Sequence, residues 1–385
     1  MGRILLSLAH MGGTEIDYVN KAFETNWIVP LGPNVDEFER RLGSFLNTDK
    51  PVVALSAGTA AIHMGLIMAG VEKDDEVICQ SLTFSASANP VVYQGAKPVF
   101  VDSEPVTWNM DPEILAEALE DRKKKTGRYP KAVIPVHLYG MPAKMDEIMK
   151  VCADRGVTIV EDAAEALGSQ YDGSFCGTFG KYGALSFNGN KIITTSGGGA
   201  LICPTPEDAA RVKFLSTQAR EARPYYYHKH IGYNYRLSNV SAGIGCGQME
   251  VLEDHLQRRR YNHDVYKAGL EDIPGVTVLC NPSEKYNSNF WLTTILLDPE
   301  IIKLTPDQVR IALEEKDIES RLIWRPMHMQ PVFEDAPYYG EKVGEEIFNR
   351  GLCLPSSSSL TDADLNRVID ALHQILSPKS TTSAK

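Results

Sequence analysis

Lys191 stands where a lysine side chain can attack a carbonyl group. It follows the apolar run LSF at residues 185–187 and precedes the run SGGG at residues 196–199. A lysine forms an imine with an aldehyde only as the neutral amine, which requires desolvation or a neighbouring cation. Most lysines are solvated surface charges, so the small residues on both sides, which leave space for a bulky ring, are what favour a covalent role here.

A second candidate is the turn SAGTAA at residues 56–61, which leaves one predicted strand and opens a predicted helix. Backbone N–H groups at the start of a helix, together with the positive end of its dipole, can hold a phosphate group. The hydroxyl of Thr59 can add one more hydrogen bond. Turns of this kind are also rich in small residues for steric reasons, so both interpretations remain open for the turn taken alone.

A third candidate is the acidic end of the apolar run in IVEDAAE at residues 159–165. A carboxylate at the end of a strand can pair with a protonated ring nitrogen, which keeps a pyridinium positive and able to accept electrons. Asp162 is predicted to have that role. The alternative is that Asp162 is the N-cap of a following helix.

The elements that must position these residues follow from the alternation of apolar runs and helical patterns between about residues 50 and 205. That alternation is typical of βαβ units and a mostly parallel sheet. The predicted strands are residues 52–55, 76–79, 98–101, 132–137, 158–161, 183–187 and 200–202, and the predicted helices are residues 59–68, 111–122 and 145–154. Sheets of this class bind ligands beyond the carboxyl ends of their strands, so the three features are expected to meet there.

The remainder of the chain is predicted to form a smaller second domain, with residues 1–250 in the large domain and 251–385 in the small one. A long polar helix around residues 248–267 leads into predicted strands at residues 275–278, 291–297 and 319–324. Three further predictions are a solvated loop rather than a binding patch for the basic run 121–128, a turn at residues 356–359, and a frayed tail at residues 377–385.

Composition restricts the partners. A chain of 385 residues with 43% apolar and 23% charged residues is typical of a globular protein with two domains. A net charge of -11 argues against nucleic acid or an anionic membrane, so an anionic substrate needs a local basic site. Scattered cysteines without a C-x-x-C pair, and no apolar stretch long enough for a signal peptide or a membrane span, predict a soluble cytoplasmic protein. No metal site is predicted.

The chain resembles the nucleotide-sugar aminotransferases of the DegT/DnrJ/EryC1/StrS family over nearly all of its length. The motifs that carry the resemblance are, in order, NWIVPLGP at residues 26–33, AGTAA at 57–61, SLTF at 81–84, EDAAE at 161–165, SF at 186–187 with Lys191, GYNYRLSN at 232–239, and PMH at 326–328. So many motifs in the same order are specific to a family, whereas each motif alone is not.

The resemblance implies an α/β protein of the pyridoxal-phosphate-dependent transferase fold type I, with a mostly parallel seven-stranded sheet in the large domain and a smaller α/β C-terminal domain. It implies pyridoxal 5'-phosphate as the cofactor and a homodimer with active sites at the subunit interface. The implied cofactor contacts are Lys191 as the Schiff-base lysine, Asp162 at the pyridine nitrogen, Gly58, Thr59, Ala60 and Ser186 around the phosphate, Phe84 on the ring, Glu165 near the ring hydroxyl, and Asn234 at the phosphate of the neighbouring subunit. Arg236 and His328 are the implied contacts with the sugar nucleotide, and an interface salt bridge is the alternative for Arg236.

Two departures from the common family pattern point to a substrate. The usual T-G-E-G-G after the lysine is TSGGG at residues 195–199, and the usual glutamine at position 165 is glutamate. With NGN at residues 188–190 and HLYG at 137–140, these features resemble the branch that makes the 4-amino precursor of diacetamidobacillosamine. The resemblance thus implies L-glutamate as amino donor and conversion of UDP-4-keto-6-deoxy-GlcNAc to UDP-4-amino-4,6-dideoxy-GlcNAc.

Three alternatives remain at this point. The same reaction can act on a GDP- or dTDP-linked keto-sugar. A related branch of the family dehydrates sugars at C3, but the resemblance implies a histidine there in place of Lys191. A member that keeps the fold and the cofactor can also be a non-catalytic sensor, which the retention of lysine, acid and phosphate ligands disfavours.

Overall fold

The computed structural model describes residues 2–376, which form three sheets and the helices that pack on them. The helices are α1 (Glu15–Glu24), α2 (Pro33–Phe45), α3 (Gly58–Met68), α4 (Asn89–Tyr93), α5 (Pro112–Thr126), α6 (Met145–Ala153), α7 (Pro206–Ser216), α8 (Asn239–Glu250), α9 (Leu252–Leu270), α10 (Pro306–Glu314), α11 (Val343–Arg350) and α12 (Asp362–Leu376). The strands are β1 (Val52–Leu55), β2 (Glu76–Gln80), β3 (Lys97–Val101), β4 (Ala132–Ile134), β5 (Thr158–Asp162), β6 (Gln170–Tyr171), β7 (Ser174–Phe175), β8 (Tyr182–Ser186), β9 (Gly199–Ile202), β10 (Val276–Val278), β11 (Tyr286–Asn287), β12 (Thr293–Leu297), β13 (Arg321–Leu322), β14 (Tyr338–Tyr339) and β15 (Gly351–Leu354).

The largest sheet has the strand order β1-β9-β8-β5-β4-β2-β3-β14. All neighbours run parallel except at β9, which is antiparallel to both β1 and β8. Strands such as β1 and β9 are buried along their whole length, because helices cover both faces of the sheet and the strand sequences are continuously apolar. The α/β class and the mostly parallel sheet are therefore confirmed.

The predicted count of seven strands is wrong by one. Seven strands of this sheet come from residues 52–202 as expected, and the eighth, β14, comes from the C-terminal part and pairs in parallel with β3. A two-residue strand made by Tyr338 and Tyr339 has no alternating apolar pattern of its own, so only its neighbour reveals it.

The C-terminal part forms a second, antiparallel sheet with the order β10-β12-β15-β13. Its apolar face packs with α9, α10 and α12 in a separate core that includes Ile295, Leu313 and Val368. The predicted single helix at residues 248–267 is instead two helices, α8 and α9, which meet at Val251. The division of domains at residue 250 stays a prediction, since β14 and the bridge between Ile4 and Ile318 both cross it.

The basic run at residues 121–128 is mostly helix, not loop. The side chain of Asp111 accepts hydrogen bonds from the N–H groups of residues 113 and 114 and starts α5, and Gly127, with a φ of 81°, ends it. The run is solvated as predicted, since Lys123, Lys124 and Lys125 are exposed in the last turn, where positive charge complements the helix dipole.

Two short elements of the C-terminal part differ in length from their predictions. The strand predicted at residues 319–324 shrinks to Arg321–Leu322, and a turn lies at residues 358–359. The tail predicted at residues 377–385 lies outside the described residues. Across residues 2–376, no helix has the length and apolar character that crossing a membrane requires.

Candidate active site

A cavity of about 540 Å³ opens at the carboxyl ends of the strands of the large sheet. Seven of the residues predicted from the sequence line it, namely Gly58, Thr59, Phe84, Asp162, Glu165, Ser186 and Lys191. The three sequence features therefore meet in one place, where the α/β architecture puts its ligands.

Lys191 lies in the cavity beside a buried carboxylate. Its Nζ is 3.2 Å from Oε1 of Glu165, and it lies 4.1 Å from the centroid of the Trp291 ring. The backbone N–H of Tyr139 donates a 2.7 Å hydrogen bond to the other oxygen of Glu165. Burial raises the pKa of Glu165 to about 7, against the opposing effect of Lys191, and the negative charge of Asp162 adds to the rise. Glu165 is thus placed to exchange a proton next to the lysine amine near neutral pH.

The loop that carries Lys191 is held from both sides. The backbone N–H of Phe187 donates to the Gly198 carbonyl (2.8 Å), which ties the segment before the lysine to the glycine run after it. The carbonyl of Asn190 accepts hydrogen bonds from the hydroxyl of Ser7 (2.8 Å) and from Nε1 of Trp291 (2.7 Å). A fixed backbone on each side of Lys191 limits where its amine can point.

Asp162 ends β5 and is 5% exposed. One carboxylate oxygen accepts a 2.6 Å hydrogen bond from the Ser87 hydroxyl, and the other accepts a 3.1 Å bond from the Ala164 N–H. No α-helix begins in the described stretch 163–169 that follows, so the helix N-cap alternative is wrong. Ser87 was not predicted from the sequence, because it lies 75 positions away in a segment without a distinctive pattern.

The turn at residues 56–61 has the features of an anion cradle. Helix α3 begins at Gly58, and its N-cap Ala57 has no side chain that could accept a hydrogen bond from the first N–H groups. The first of these bonds within the helix is from Ala61 N–H to the Ala57 carbonyl, which leaves the earlier N–H groups available. A Cβ atom at Gly58 would lie 2.8 Å from Cβ of Ser186, so only glycine lets the hydroxyl of Ser186 reach this turn.

These residues fit pyridoxal phosphate. A helix start with free N–H groups suits the phosphate, a buried carboxylate suits the ring nitrogen, and a lysine amine lies in the same cavity for the aldehyde. Ala60, also predicted at the phosphate, is the third residue of α3 and is buried.

The opposite wall of the cavity is aromatic, and sequence reasoning missed most of it. Phe84 packs against Trp324 at a centroid distance of 5.5 Å, and Trp324 packs against Tyr139 at 5.0 Å. The Tyr139 hydroxyl accepts a 3.0 Å hydrogen bond from the backbone N–H of Trp324. The available signal was the scarcity of tryptophan, since the chain has only four and two of them, Trp291 and Trp324, line this cavity.

The remaining predicted residues lie elsewhere. Nη1 of Arg236 donates to Oε1 of Glu39 and to the Ala54 carbonyl, both at 2.8 Å, so its salt bridge is within the chain. His328 bonds the Ser81 hydroxyl through Nδ1 (2.7 Å) and stacks on Tyr338.

None of Arg236, His328 and Asn234 is part of the cavity wall. Asn234 is exposed, and its backbone bridges to Thr217. The contacts predicted for these three residues stay predictions.

Comparison with known proteins agrees with this geometry. The model of the DegT/DnrJ/EryC1/StrS aminotransferase family matches residues 9–373. The chain is 47% identical to the putative pyridoxal phosphate-dependent aminotransferase EpsN of Bacillus subtilis, over 96% of this chain and 95% of the relative. It is 36% identical to the GDP-perosamine synthase of Caulobacter vibrioides, over 97% and 98% of the two chains.

Solved structures show the same architecture. A DegT DnrJ EryC1 StrS aminotransferase from Brucella abortus superposes with a TM-score of 0.88 at 30% identity, over 95% of this chain and 96% of that one. DesI, solved in the presence of its TDP-sugar product, has a TM-score of 0.88 at 27% identity, over 97% and 93%. With lysine, acid and phosphate cradle brought into one cavity, the chain belongs to the DegT/DnrJ/EryC1/StrS family and is a pyridoxal-phosphate-dependent sugar aminotransferase.

Proposed function

We propose that this enzyme transfers the amino group of L-glutamate to C4 of UDP-4-keto-6-deoxy-GlcNAc, giving UDP-4-amino-4,6-dideoxy-GlcNAc for bacterial glycan synthesis of the bacillosamine type. The observation that carries the proposal is the Glu165–Lys191 pair in the cavity, 3.2 Å apart. A glutamate at that position and the TSGGG sequence at residues 195–199 are the two features that resemble the bacillosamine branch.

The chemistry divides between the cofactor and the chain. The bound cofactor supplies a conjugated ring that accepts electrons from the substrate carbon. Asp162, oriented by Ser87, would keep the ring nitrogen protonated, and Thr59 and Ser186 would hold the phosphate end. Lys191 would be the residue that holds the cofactor covalently, and as a free amine its Nζ would take the proton from Cα of the amino donor. Glutamate and the keto-sugar use the same cavity in turn, so the kinetics are ping-pong.

We further propose a homodimer in which Asn234 reaches the cofactor phosphate of the partner subunit. The segment around it exposes large side chains that a monomer would leave in water, including Tyr225 (59% exposed), Tyr226 (78%) and Ile231 (86%). Large apolar and aromatic side chains exposed together in one segment support a protein interface. We also place the enzyme in the cytoplasm, which the free state of its seven cysteines supports.

The second candidate is the same reaction on a GDP- or dTDP-linked keto-sugar. It is favoured by two relatives, the GDP-perosamine synthase of Caulobacter vibrioides and the dTDP-4-dehydro-2,3,6-trideoxy-D-glucose 4-aminotransferase of Saccharopolyspora spinosa, the latter 30% identical over 94% of this chain. The cavity has aromatic walls at Trp291 and Trp324, which can pack on any nucleobase or sugar face.

The test uses the purified holoenzyme in two steps. In the first step, L-glutamate alone should change the absorbance of the bound cofactor. In the second step, UDP-, GDP- and dTDP-4-keto-6-deoxy sugars are added separately, and mass spectrometry should detect an amino product from the UDP sugar. An amino product from the GDP or dTDP sugar only would refute the substrate assignment. No spectral response to any amino donor would favour the sensor alternative.

The lysine assignment is tested by Lys191→Ala, with Lys181→Ala as the matched control because Lys181 is exposed before β8. Lys191→Ala should lose the absorbance band of the lysine-bound cofactor and all turnover, whereas Lys181→Ala should keep both. Turnover by the Lys191→Ala protein would refute the assignment.

A further inference from the structure

The cavity wall carries more acidic than basic side chains, although the substrates that must enter it are anions. Among the described residues of the cavity wall, the acids are Asp162, Glu165 and Glu319, and the cations are Lys191 and Arg321. The whole chain carries a net charge of -11, so a general positive field does not draw anions to the cavity. An amino acid with two carboxylates and a nucleotide diphosphate both need a cation at this site.

Lys191 cannot fill that need, because its amine is engaged with the cofactor and with proton transfer. Arg236, the sequence-based candidate, donates from its guanidinium to Glu39 and the Ala54 carbonyl outside the cavity wall. Arg321 is then the cation of the wall that remains for a substrate.

The environment of Arg321 suits ligand exchange. It lies on β13, its side chain is 69% exposed, and its Nη2 donates to Oε1 of Glu319 at 3.1 Å. Glu319 is itself held, because its other oxygen accepts a 3.0 Å hydrogen bond from the backbone N–H of Leu6. The pair thus keeps the guanidinium at the cavity wall, but an exposed ion pair is weak and leaves most of the five donors of the guanidinium free.

We propose that Arg321 binds paired anionic oxygen atoms of the substrates at the cavity wall. The guanidinium matches two such oxygens with parallel hydrogen bonds, as carboxylates and diphosphates both present them. This inference rests on the proposed function, since it needs substrates that enter this cavity. The two sources of the anion are the carboxylates of glutamate and the diphosphate of the sugar nucleotide, and the two half-reactions separate them.

The test compares Arg321→Gln with Arg325→Gln in the holoenzyme. Arg325 is an exposed arginine four residues further along the chain and outside the cavity wall, so its variant controls for loss of one positive charge. Calorimetry measures the binding of UDP, GDP and dTDP, and stopped-flow absorbance measures the concentration dependence of the glutamate half-reaction. Thermal unfolding and the cofactor absorbance show that each variant is folded and loaded.

Arg321→Gln should weaken the binding of glutamate, of the nucleotide or of both by about 10- to 100-fold, which is the loss of one charge-assisted contact. Arg321→Lys should recover part of the loss, and Arg325→Gln should bind as the wild type does. A change confined to glutamate identifies the carboxylate as the ligand, and a change confined to the nucleotide identifies the diphosphate.

Two results overturn the inference. One is an Arg321→Gln enzyme whose affinities for glutamate and for all three nucleotides equal those of the wild type, and the other is an equal loss in Arg325→Gln, which would indicate a general charge effect. Failure of the proposed function is distinct from both, because it appears in the wild-type enzyme as an amino product from a different sugar nucleotide.

Discussion

The two walls of the cavity are built differently. The wall at the strand ends, with Asp162 and the turn at Gly58, is largely buried, and a 2.6 Å hydrogen bond from the Ser87 hydroxyl holds Asp162 in place. The facing wall, with Phe84, Trp324 and Arg321, is partly exposed, largely aromatic, and includes residues from the C-terminal part of the chain. The first arrangement suits a cofactor that stays bound, and the second suits substrates that come and go.

A buried arginine joins the two walls beneath the lysine loop. Arg259 on α9 donates to the carbonyls of Trp291 (2.6 Å) and Ser356 (3.0 Å) and to the hydroxyl of Ser7 (3.1 Å). Burial lowers the pKa of Arg259 to about 9, since its three acceptors are neutral oxygens. Ser7 and Trp291 both donate in turn to the carbonyl of Asn190, the residue before Lys191.

The largest effect is expected at the strand-end wall. Asp162→Asn keeps the shape of the side chain but removes the charge that we propose keeps the ring nitrogen protonated, so kcat should fall on the order of 10²- to 10³-fold. Arg321→Gln on the facing wall should instead raise KM. The two walls would then differ in which kinetic constant they control, kcat for the strand-end wall and KM for the facing wall. Steady-state kinetics of both variants measure the contrast, with the exposed Asp154→Asn as a control. An Asp162→Asn enzyme with normal kcat would remove the distinction.

The next effect concerns the link between the walls. Arg259→Met should lower the free energy of unfolding by about 3 kcal/mol, because two buried carbonyls and a hydroxyl lose their donors while only part of the loss is offset by burying an apolar side chain. Amide hydrogen exchange should increase in residues 188–198, which carry Lys191. Lys267→Met is the control, since Lys267 is an exposed cation on the same helix. Unchanged exchange in that segment would show that Arg259 does not hold the loop.

The two walls also differ in how well the sequence predicted them. At the strand-end wall, Gly58, Asp162 and Lys191 were predicted because each follows a predicted strand, and parallel strand ends meet at one edge. Ser87, which orients Asp162, was not. Apart from Phe84, the facing wall was not predicted, because Trp291, Trp324 and Arg321 come together only through the packing of the C-terminal part on the large sheet. Local periodicity does not encode that packing.

The same reason explains why the partner of Arg236 and the eighth strand of the large sheet were not predicted. Arg236 lies in a family motif, but its partner Glu39 is 197 positions away, so no spacing rule connects them. Strand β14 is two residues long and forms only because β3 offers an edge. Contacts with neighbours distant in the chain could therefore not be predicted, whereas the start of α5, which has its own cap at Asp111, was predicted to within one residue.

The smallest effect is a pH dependence from the carboxylate between the walls. The pKa of Glu165 is raised to about 7 in the folded chain from 4.5, so the folded state holds more protons than the unfolded state between those values. The stability of the apoprotein should therefore fall as pH rises from about 5 to 7, on the order of 2 kcal/mol, and then level off.

Glu165→Gln keeps an oxygen for the Tyr139 N–H but cannot ionise, so urea unfolding at pH 5, 6, 7 and 8 should show a shallower slope and a more stable protein at pH 8. The exposed Glu334→Gln variant should follow the wild type. A Glu165→Gln apoprotein with the wild-type slope would mean that the Glu165 carboxylate does not change its protonation state between pH 5 and 8. Lys191 would then keep it ionised over that range, as an ion pair in the cavity.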